Sequence, residues 1–283
     1  MADASAARSL PAHAELRDRL VRAEGPRVPV LPALRTLLPG GLRPGSVVGL
    51  DGSGAASLGV ALVAGASADG SAQTLSGAHT VSGIHAGGSV HAGGSVHEGS
   101  SVHAVGHTDA AGGANGWCAV VGVPEFGVLA ACGMGADPRR LLLVDDPAER
   151  WPDVVAALVE AVSLVLVRPP ERPAPSAVRR LTALARKHGS VLTLMGPATR
   201  TWPGLRLKLA VTESEWEGLG DGHGVLGGRR AHVVVQGHDA PGAGRRQWLW
   251  LPNAAGQVEP AEAPRARASG RPVLEVVPTP RVS

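Results

Sequence analysis

A glycine-rich segment between two apolar runs carries the strongest chemical signal in this sequence. Residues 43–65 read RPGSVVGLDGSGAASLGVALVAG, a strand, a turn and a helix, which is the plan of a phosphate-binding loop. Such a loop needs Lys and then Ser or Thr after its last glycine, because the ammonium reaches the β- and γ-phosphates and the hydroxyl reaches Mg²⁺. Counted from Gly52, those two positions hold Leu58 and Gly59.

A shorter loop that ends at Gly54 fails as well, because Ala55 then stands at the lysine position. No Lys or Arg occurs between Arg43 and Arg139, so a cation must come from a distant arginine that folds over the loop. We otherwise expect a tight glycine turn that packs helix on strand, or a weak anion site at the helix start. The vestigial loop positions are Gly52, Ser53, Gly54 and Ser57.

The second element of a nucleotide site is missing too. A buried strand should end in an acidic residue that holds the Mg²⁺ water shell. The strand candidate SLVLV, residues 163–167, is followed by Arg168 and two prolines. A cation stands where a carboxylate is required, so the sequence predicts no hydrolysis, no catalytic residue, no cofactor and no metal site.

Composition narrows the class of protein further. The chain has 283 residues, of which 44% are hydrophobic, and a formal charge of only +3, too small to argue for nucleic-acid binding through total charge. Cys118 and Cys132 lack metal-ligand spacing, and the amino-terminal sequence lacks the apolar centre of a signal peptide. No window offers 18 consecutive apolar residues. We expect a cytoplasmic protein that does not enter a membrane.

Apolar runs recur at intervals that leave room for helices, which predicts an α/β fold with a mostly parallel sheet flanked by helices. Their continuity predicts strands that are covered on both faces. The runs are 46–50, 118–123, 141–144, 163–167 and 190–195. The helix candidates between them are 56–66, 125–134, 150–161 and 176–188, the last with a stop at Gly189.

The final third changes character and predicts added antiparallel strands at 205–211, 230–237 and 246–252. On the last of them we expect Trp248 and Trp250 to face opposite sides. The predicted organisation is an N-terminal segment with a short helix, 1–29, a core, 30–252, and a disordered tail, 253–283.

A His/Gly/Ser-rich insertion, 67–116, interrupts the core. Its histidines recur every six residues, at His79, His85, His91, His97 and His103. Three interpretations remain open: a disordered insertion without a specific role, opportunistic Zn²⁺ or Ni²⁺ binding, and a stub of parallel β-helix.

The order of several segments resembles the RecA recombinase core over roughly residues 30–252, with the insertion set aside. The most specific of them is WCAVVGVPEFGVLAACGMGADPRRLLLV, residues 117–144. In RecA-type proteins an acidic residue after this strand activates the attacking water, and Glu125 stands there, as a remnant or simply as an acid at a helix start. The two places of the DNA-gripping loops hold short, Pro-rich segments, 168–176 and 196–204.

A RecA-type core without nucleotide chemistry is similar to the ImuA-like accessory proteins of the bacterial mutasome. That resemblance implies a non-catalytic adaptor in damage-induced translesion DNA synthesis. The implied partners are an inactive Y-family polymerase homologue and an error-prone replicative-type polymerase, with RecA or DNA as further candidates. The alternatives are a divergent RecA-like ATPase in DNA repair and a regulator that binds RecA.

Two segments are candidates for partner binding. One is the basic face of the helix at 176–188, which is either a solvated face or a contact for a partner or a DNA backbone. The other is an apolar island at 273–277, which is either a recognition element or an unimportant part of the tail. The candidate residues are Arg179, Arg180, Arg186, Lys187, Leu274 and Val276.

Overall fold

A computed structural model describes residues 26–68, 116–219, 224–240 and 244–264. Its strands are β1 (Val47–Gly52), β2 (Cys118–Val121), β3 (Leu141–Val144), β4 (Leu164–Val167), β5 (Val191–Leu194), β6 (Leu207–Leu219), β7 (Gly224–Gln236), β8 (Arg246–Trp250) and β9 (Glu259–Pro260). Its helices are α1 (Ala55–Ser67), α2 (Val128–Gly133), α3 (Trp151–Ala161) and α4 (Pro175–His188). The strands form a single sheet in the order β3-β2-β4-β5-β1-β6-β7-β8-β9.

The first six strands of that order are mutually parallel, and from β6 onward each strand is antiparallel to the next. Helices α1 and α2 pack on one face of the sheet, and α3 and α4 pack on the other. The four residues of β4 are at most 1% exposed, because a central strand is covered on both faces. The predicted α/β fold, with a mostly parallel sheet and C-terminal antiparallel strands, is confirmed.

The local sequence explains the limits of α4. Pro175 lies in its first turn, where a missing N–H costs nothing. Val178, Leu181 and Ala185 form its buried stripe, and Gly189, with φ of 73°, ends it as predicted. The helix is thereby held with its basic residues turned away from the core.

Two predictions about burial were wrong. Leu142 and Leu143 of β3 are 37% and 44% exposed, because β3 is the outermost strand and not a covered one. Trp248 and Trp250 are both half-buried around the buried Leu249. Residues two apart in a strand face the same side of a sheet, so the two rings could not point in opposite directions.

The hairpin of β6 and β7 is longer than predicted and positions the candidate site. Strand β6 was expected to be purely antiparallel, but it is parallel to β1 up to the pair Gly52 and Val211, and antiparallel to β7. Beyond Val211 a register shift occurs, and β6 continues with β7 alone. The outer half of the hairpin therefore extends past the carboxyl end of β1, beside the glycine loop.

The folded unit also continues beyond the predicted boundary at residue 252. The side-chain oxygen Oδ1 of Asn253 accepts hydrogen bonds from the amides of Ala255 and Gln257 at 2.9 and 2.8 Å, and β9 then pairs with β8. Residues 253–264 thus include an ordered turn and a strand. The predicted N-terminal helix, most of the insertion with its histidine repeat, and the tail island with Leu274 and Val276 lie outside the described residues.

Candidate functional site

The glycine loop lies at the carboxyl edge of the parallel strands, where α/β proteins commonly bind ligands. Gly52 has a φ of 90°, and a Cβ atom there would lie 2.1 Å from the carbonyl oxygen of Val211. The amide of Gly54 donates to the carbonyl of Gly52 at 2.8 Å, and α1 begins one residue later. Only glycine allows β1 to turn this tightly against β6, as the tight-turn interpretation requires.

An arginine from β7 lies against this loop. The Nη2 atom of Arg229 donates a hydrogen bond to the carbonyl oxygen of Ser53 at 2.9 Å. A Cβ atom on Gly54 would lie only 1.7 Å from the same nitrogen, so the guanidinium occupies the space that a side chain at residue 54 would take. Arg229 thus places beside the loop a cation that the sequence of the loop lacks.

The β6–β7 hairpin explains how Arg229 reaches the loop. Ala231 and Val233 are buried in the core on the α1 side, and Arg229 has the same strand parity, so it faces the same side. Its partner across the hairpin is Trp216, whose ring centre lies 5.7 Å from the guanidinium carbon. A hydroxyl–hydroxyl contact of 3.5 Å between Ser53 and Ser214 also joins hairpin and loop.

The environment of Arg229 is unusual for a cation. The residue is 7% exposed, and this burial lowers the pKa of its guanidinium, although an arginine stays protonated under ordinary conditions. Its Nε atom has no hydrogen-bond partner among the described residues. The Ser53 carbonyl and the Trp216 ring lie close enough to stabilise the charge. The guanidinium is therefore held against the glycine loop.

One of the two lysines lies near the loop but on the other face of the sheet. Lys208 Nζ is 2.6 Å from Asp51 Oδ2, and the Gly52 amide donates to Asp51 Oδ1 at 2.9 Å. The hydrogen bond from Lys208 is the main cause that lowers the pKa of the Asp51 carboxyl. The ammonium group of Lys208 is held by Asp51. Both side chains lie on the face of the sheet that is opposite to α1, because Leu207, Leu209 and Leu50 point toward α1.

The remnant acid is also paired. Glu125 follows β2 and Arg168 follows β4, and the two side chains form an ion pair. The hydrogen bond from Arg168 is the main cause that lowers the pKa of Glu125. A carboxylate held in this way is a weak proton acceptor, and a general base needs a pKa nearer the working pH. Arg168, which lies where the resemblance would place a metal-binding acid, is thus paired with Glu125, the acid that the resemblance identified.

The four basic residues predicted to form one face of α4 have different surroundings in the structure. Arg180 Nη1 lies 2.8 Å from Asp153 Oδ1 and joins α4 to α3. Arg186 instead lines a cavity at the amino edge of the parallel strands, below the start of β1, and Arg179 lines an adjoining cavity that extends along α4. Lys187 is exposed and lines neither of these cavities. The four residues therefore do not form one surface.

Other chemistry is sparse in the part of the chain that the structure describes. It holds no group of three or more His, Cys, Asp or Glu that could bind a metal ion. Burial raises the pKa of the Cys118 thiol to about 12. None of the described helices combines the length and the apolar character needed to cross a membrane.

Comparison with known proteins gives similarities of three kinds, to a family model, a curated protein and a solved structure. The model of the MT3502 N-terminal domain family matches residues 80–204, less than half of the chain. The Mycobacterium tuberculosis (strain ATCC 25618 / H37Rv) protein named "Uncharacterized protein Rv3395c" is 34% identical over 105 residues, which are 37% of this chain and 50% of that protein. The chain thus spans about half the length of this curated relative. The crystal structure of the RadB recombinase covers 82% of this chain and 97% of its own, with 14% identity and a TM-score of 0.46.

Proposed function

We propose that this chain is a RecA-type core that no longer turns over nucleotide and serves as a non-catalytic, cytoplasmic adaptor in damage-induced translesion DNA synthesis. The observation that carries the proposal is the position of Arg229, whose guanidinium lies on the loop where the phosphates of a nucleotide would bind. The proposed partners are an inactive Y-family polymerase homologue and an error-prone replicative-type polymerase.

The loss of nucleotide chemistry is supported at three points of the site. A phosphate would have to displace the Arg229 guanidinium from Gly54 and Ser53. The position of the metal-binding acid holds a cation, Arg168, and that cation pairs with Glu125. The space beside the loop, the position of the metal-binding acid and the acid that would activate water are thus each occupied or paired with an arginine.

A non-catalytic role fits the remaining architecture. The central strands of the sheet are covered on both faces by helices, and two separate cores are buried, so the packing of the fold is complete without a nucleotide. The order of the sequence segments and the shortened loops at 168–176 and 196–204 are what relate the chain to the mutasome accessory proteins. An adaptor needs only this rigid scaffold and exposed segments that bind its partners.

Co-purification from DNA-damaged cells tests the proposal. The full chain with an affinity tag should recover both polymerases, and nucleotide depletion should leave their yield unchanged. Recovery of RecA alone would instead identify a regulator of RecA. ATP turnover that Glu125→Gln abolishes would identify a divergent ATPase, because this substitution removes only the carboxylate that would activate water.

A further inference from the structure

Three cavities adjoin one another at the amino edge of the parallel strands, at the opposite end of β1 from the glycine loop. Their volumes are about 340, 200 and 290 Å³. The first and second share Ser46 and Asp239, and the first and third share Gly204. These shared residues place the three cavities side by side, and we call them together the amino-edge groove.

The amino-edge groove is lined by five arginines and, among the described residues, a single acidic one. Asp239 is that acid, and it is bound by Arg206 through Nε at 3.0 Å and Nη2 at 2.9 Å. Arginines therefore predominate among the charged residues of the lining, whereas the whole chain has a formal charge of only +3. The arginines are Arg27, Arg43, Arg179, Arg186 and Arg206.

The fold brings three of these arginines, Arg43, Arg179 and Arg186, to neighbouring positions. Arg179 and Arg186 are seven residues apart on α4, which is two helical turns, so they share one face about 10 Å apart along the axis. Gly45, with φ of 71°, brings the turn before β1 against α4, since a Cβ atom there would lie 2.9 Å from the Cα atom of Arg186. This close approach joins the α4 arginines to Arg43 and the start of β1.

The lining decides what kind of molecule fits. The larger aliphatic residues of the groove are at most 8% exposed, so these side chains offer little surface to a protein partner, and the exposed apolar lining includes Pro39 and Pro203. No aromatic residue of the described chain lines the groove, so bases have nothing to stack on there. The guanidinium groups of the lining match the phosphates of a nucleic-acid backbone. The larger aliphatic residues of the lining are Leu38, Val47, Val178 and Leu207.

We infer that the amino-edge groove binds the phosphodiester backbone of nucleic acid without reading its sequence. The observation that carries this inference is that arginines outnumber acidic residues five to one in the lining. The inference depends on the groove alone and holds whether or not the adaptor role is correct. It places nucleic acid at the edge of the sheet opposite the glycine loop.

The test uses a fluorescein-labelled oligonucleotide of mixed sequence, as a single strand and as a duplex, with the full chain and anisotropy as the readout. Arg179→Gln with Arg186→Gln should weaken binding at least tenfold. Two lost phosphate contacts should reduce the slope of log K against log salt by about 1.8 for duplex, or about 1.4 for single strand. Both substitutions are at exposed positions, and circular dichroism checks that the fold is retained.

The matched control is Arg180→Gln with Lys187→Gln, which removes the same charge from the same helix outside the groove. It should leave the salt slope unchanged. Absence of wild-type binding at about 50 mM salt, or an equal loss of slope in the control, would overturn the inference. Competition by polyglutamate as effective as by unlabelled oligonucleotide would also overturn it, because the groove would then take an acidic protein.

Discussion

The contact between Arg229 and the glycine loop makes a quantitative prediction about Gly54→Ala. The added Cβ would lie 1.7 Å from Arg229 Nη2, so the guanidinium must leave the Ser53 carbonyl. A hydrogen bond from a charged group contributes about 1.5–3 kcal/mol, and the displaced group regains some water contact. We therefore expect Gly54→Ala to lower the free energy of unfolding by about 1–3 kcal/mol.

A double-mutant cycle with Arg229→Met separates this contact from the other effects of the substitution. Gly54 is the N-cap of α1, where alanine is a poorer cap than glycine in any background. Arg229→Met loses the hydrogen bond but also removes a buried charge, so we expect a change within about 1 kcal/mol. In the Arg229→Met background Gly54→Ala should then cost only the capping difference, which gives a coupling of about 1–2.5 kcal/mol.

Guanidinium chloride unfolding, followed by tryptophan fluorescence and extrapolated linearly, measures the four free energies. Gly227→Ala in the same two backgrounds is the control, because its Cβ atom would lie no closer than 3.7 Å to any neighbour, the carbonyl of Glu217. It should show no coupling to Arg229. A Gly54→Ala coupling below about 0.5 kcal/mol would refute the placement of Arg229 on the loop.

Three further predictions concern other parts of the chain. Deletion of residues 72–113 should change the melting temperature by no more than a few degrees, because the cost of loop closure varies slowly with loop length; a larger fall by calorimetry would show that the segment packs on the core. Truncation after Pro264 should leave a folded core that no longer co-purifies with the polymerases. Truncation after Pro252 should in addition lower the stability, because it removes the Asn253 turn and β9. Partner binding that survives truncation after Pro264 would place the docking surface on the core. Asp51→Asn should be less stable than wild type at neutral pH, and the difference should vanish as the pH falls well below about 4, because a lowered folded-state pKa stabilises only while the carboxyl is ionised; a difference independent of pH in urea unfolding would assign the effect to packing.

Much of the fold could be predicted from hydrophobic pattern alone. The buried strand Leu164–Val167 is a continuous apolar run, and α4 has a regular stripe and a glycine stop, so both were located within a residue or two. The edge position of β3 could not be predicted, because Leu142 and Leu143 differ in no local way from leucines in a central strand. Their exposure depends on strand order, which is a property of the whole sheet.

For the candidate site, the sequence predicted only which groups of a nucleotide site are missing. The sequence shows directly that no lysine follows the loop and that Arg168 stands where a nucleotide site would need an acid. It does not show that Arg229, 176 residues away from Ser53, fills the loop, because this depends on the length of the β6–β7 hairpin and on strand parity. One signal for the position of Arg229 was present in the sequence. Ala231, Val233 and Val235 are the buried residues of an alternating strand, and Arg229 lies two residues before them on the same face.

Calorimetric titration of the full chain with Mg²⁺ and ATP tests the central claim, that the loop is closed to nucleotide, most directly. A loop already filled by a guanidinium, without the phosphate lysine or the metal carboxylate, should give no saturable heat up to about 1 mM ATP, whereas a dissociation constant near 10 μM would correspond to roughly 2.7 kcal/mol of stabilisation at that concentration. The account predicts a flat titration. A saturable isotherm with micromolar affinity would contradict it.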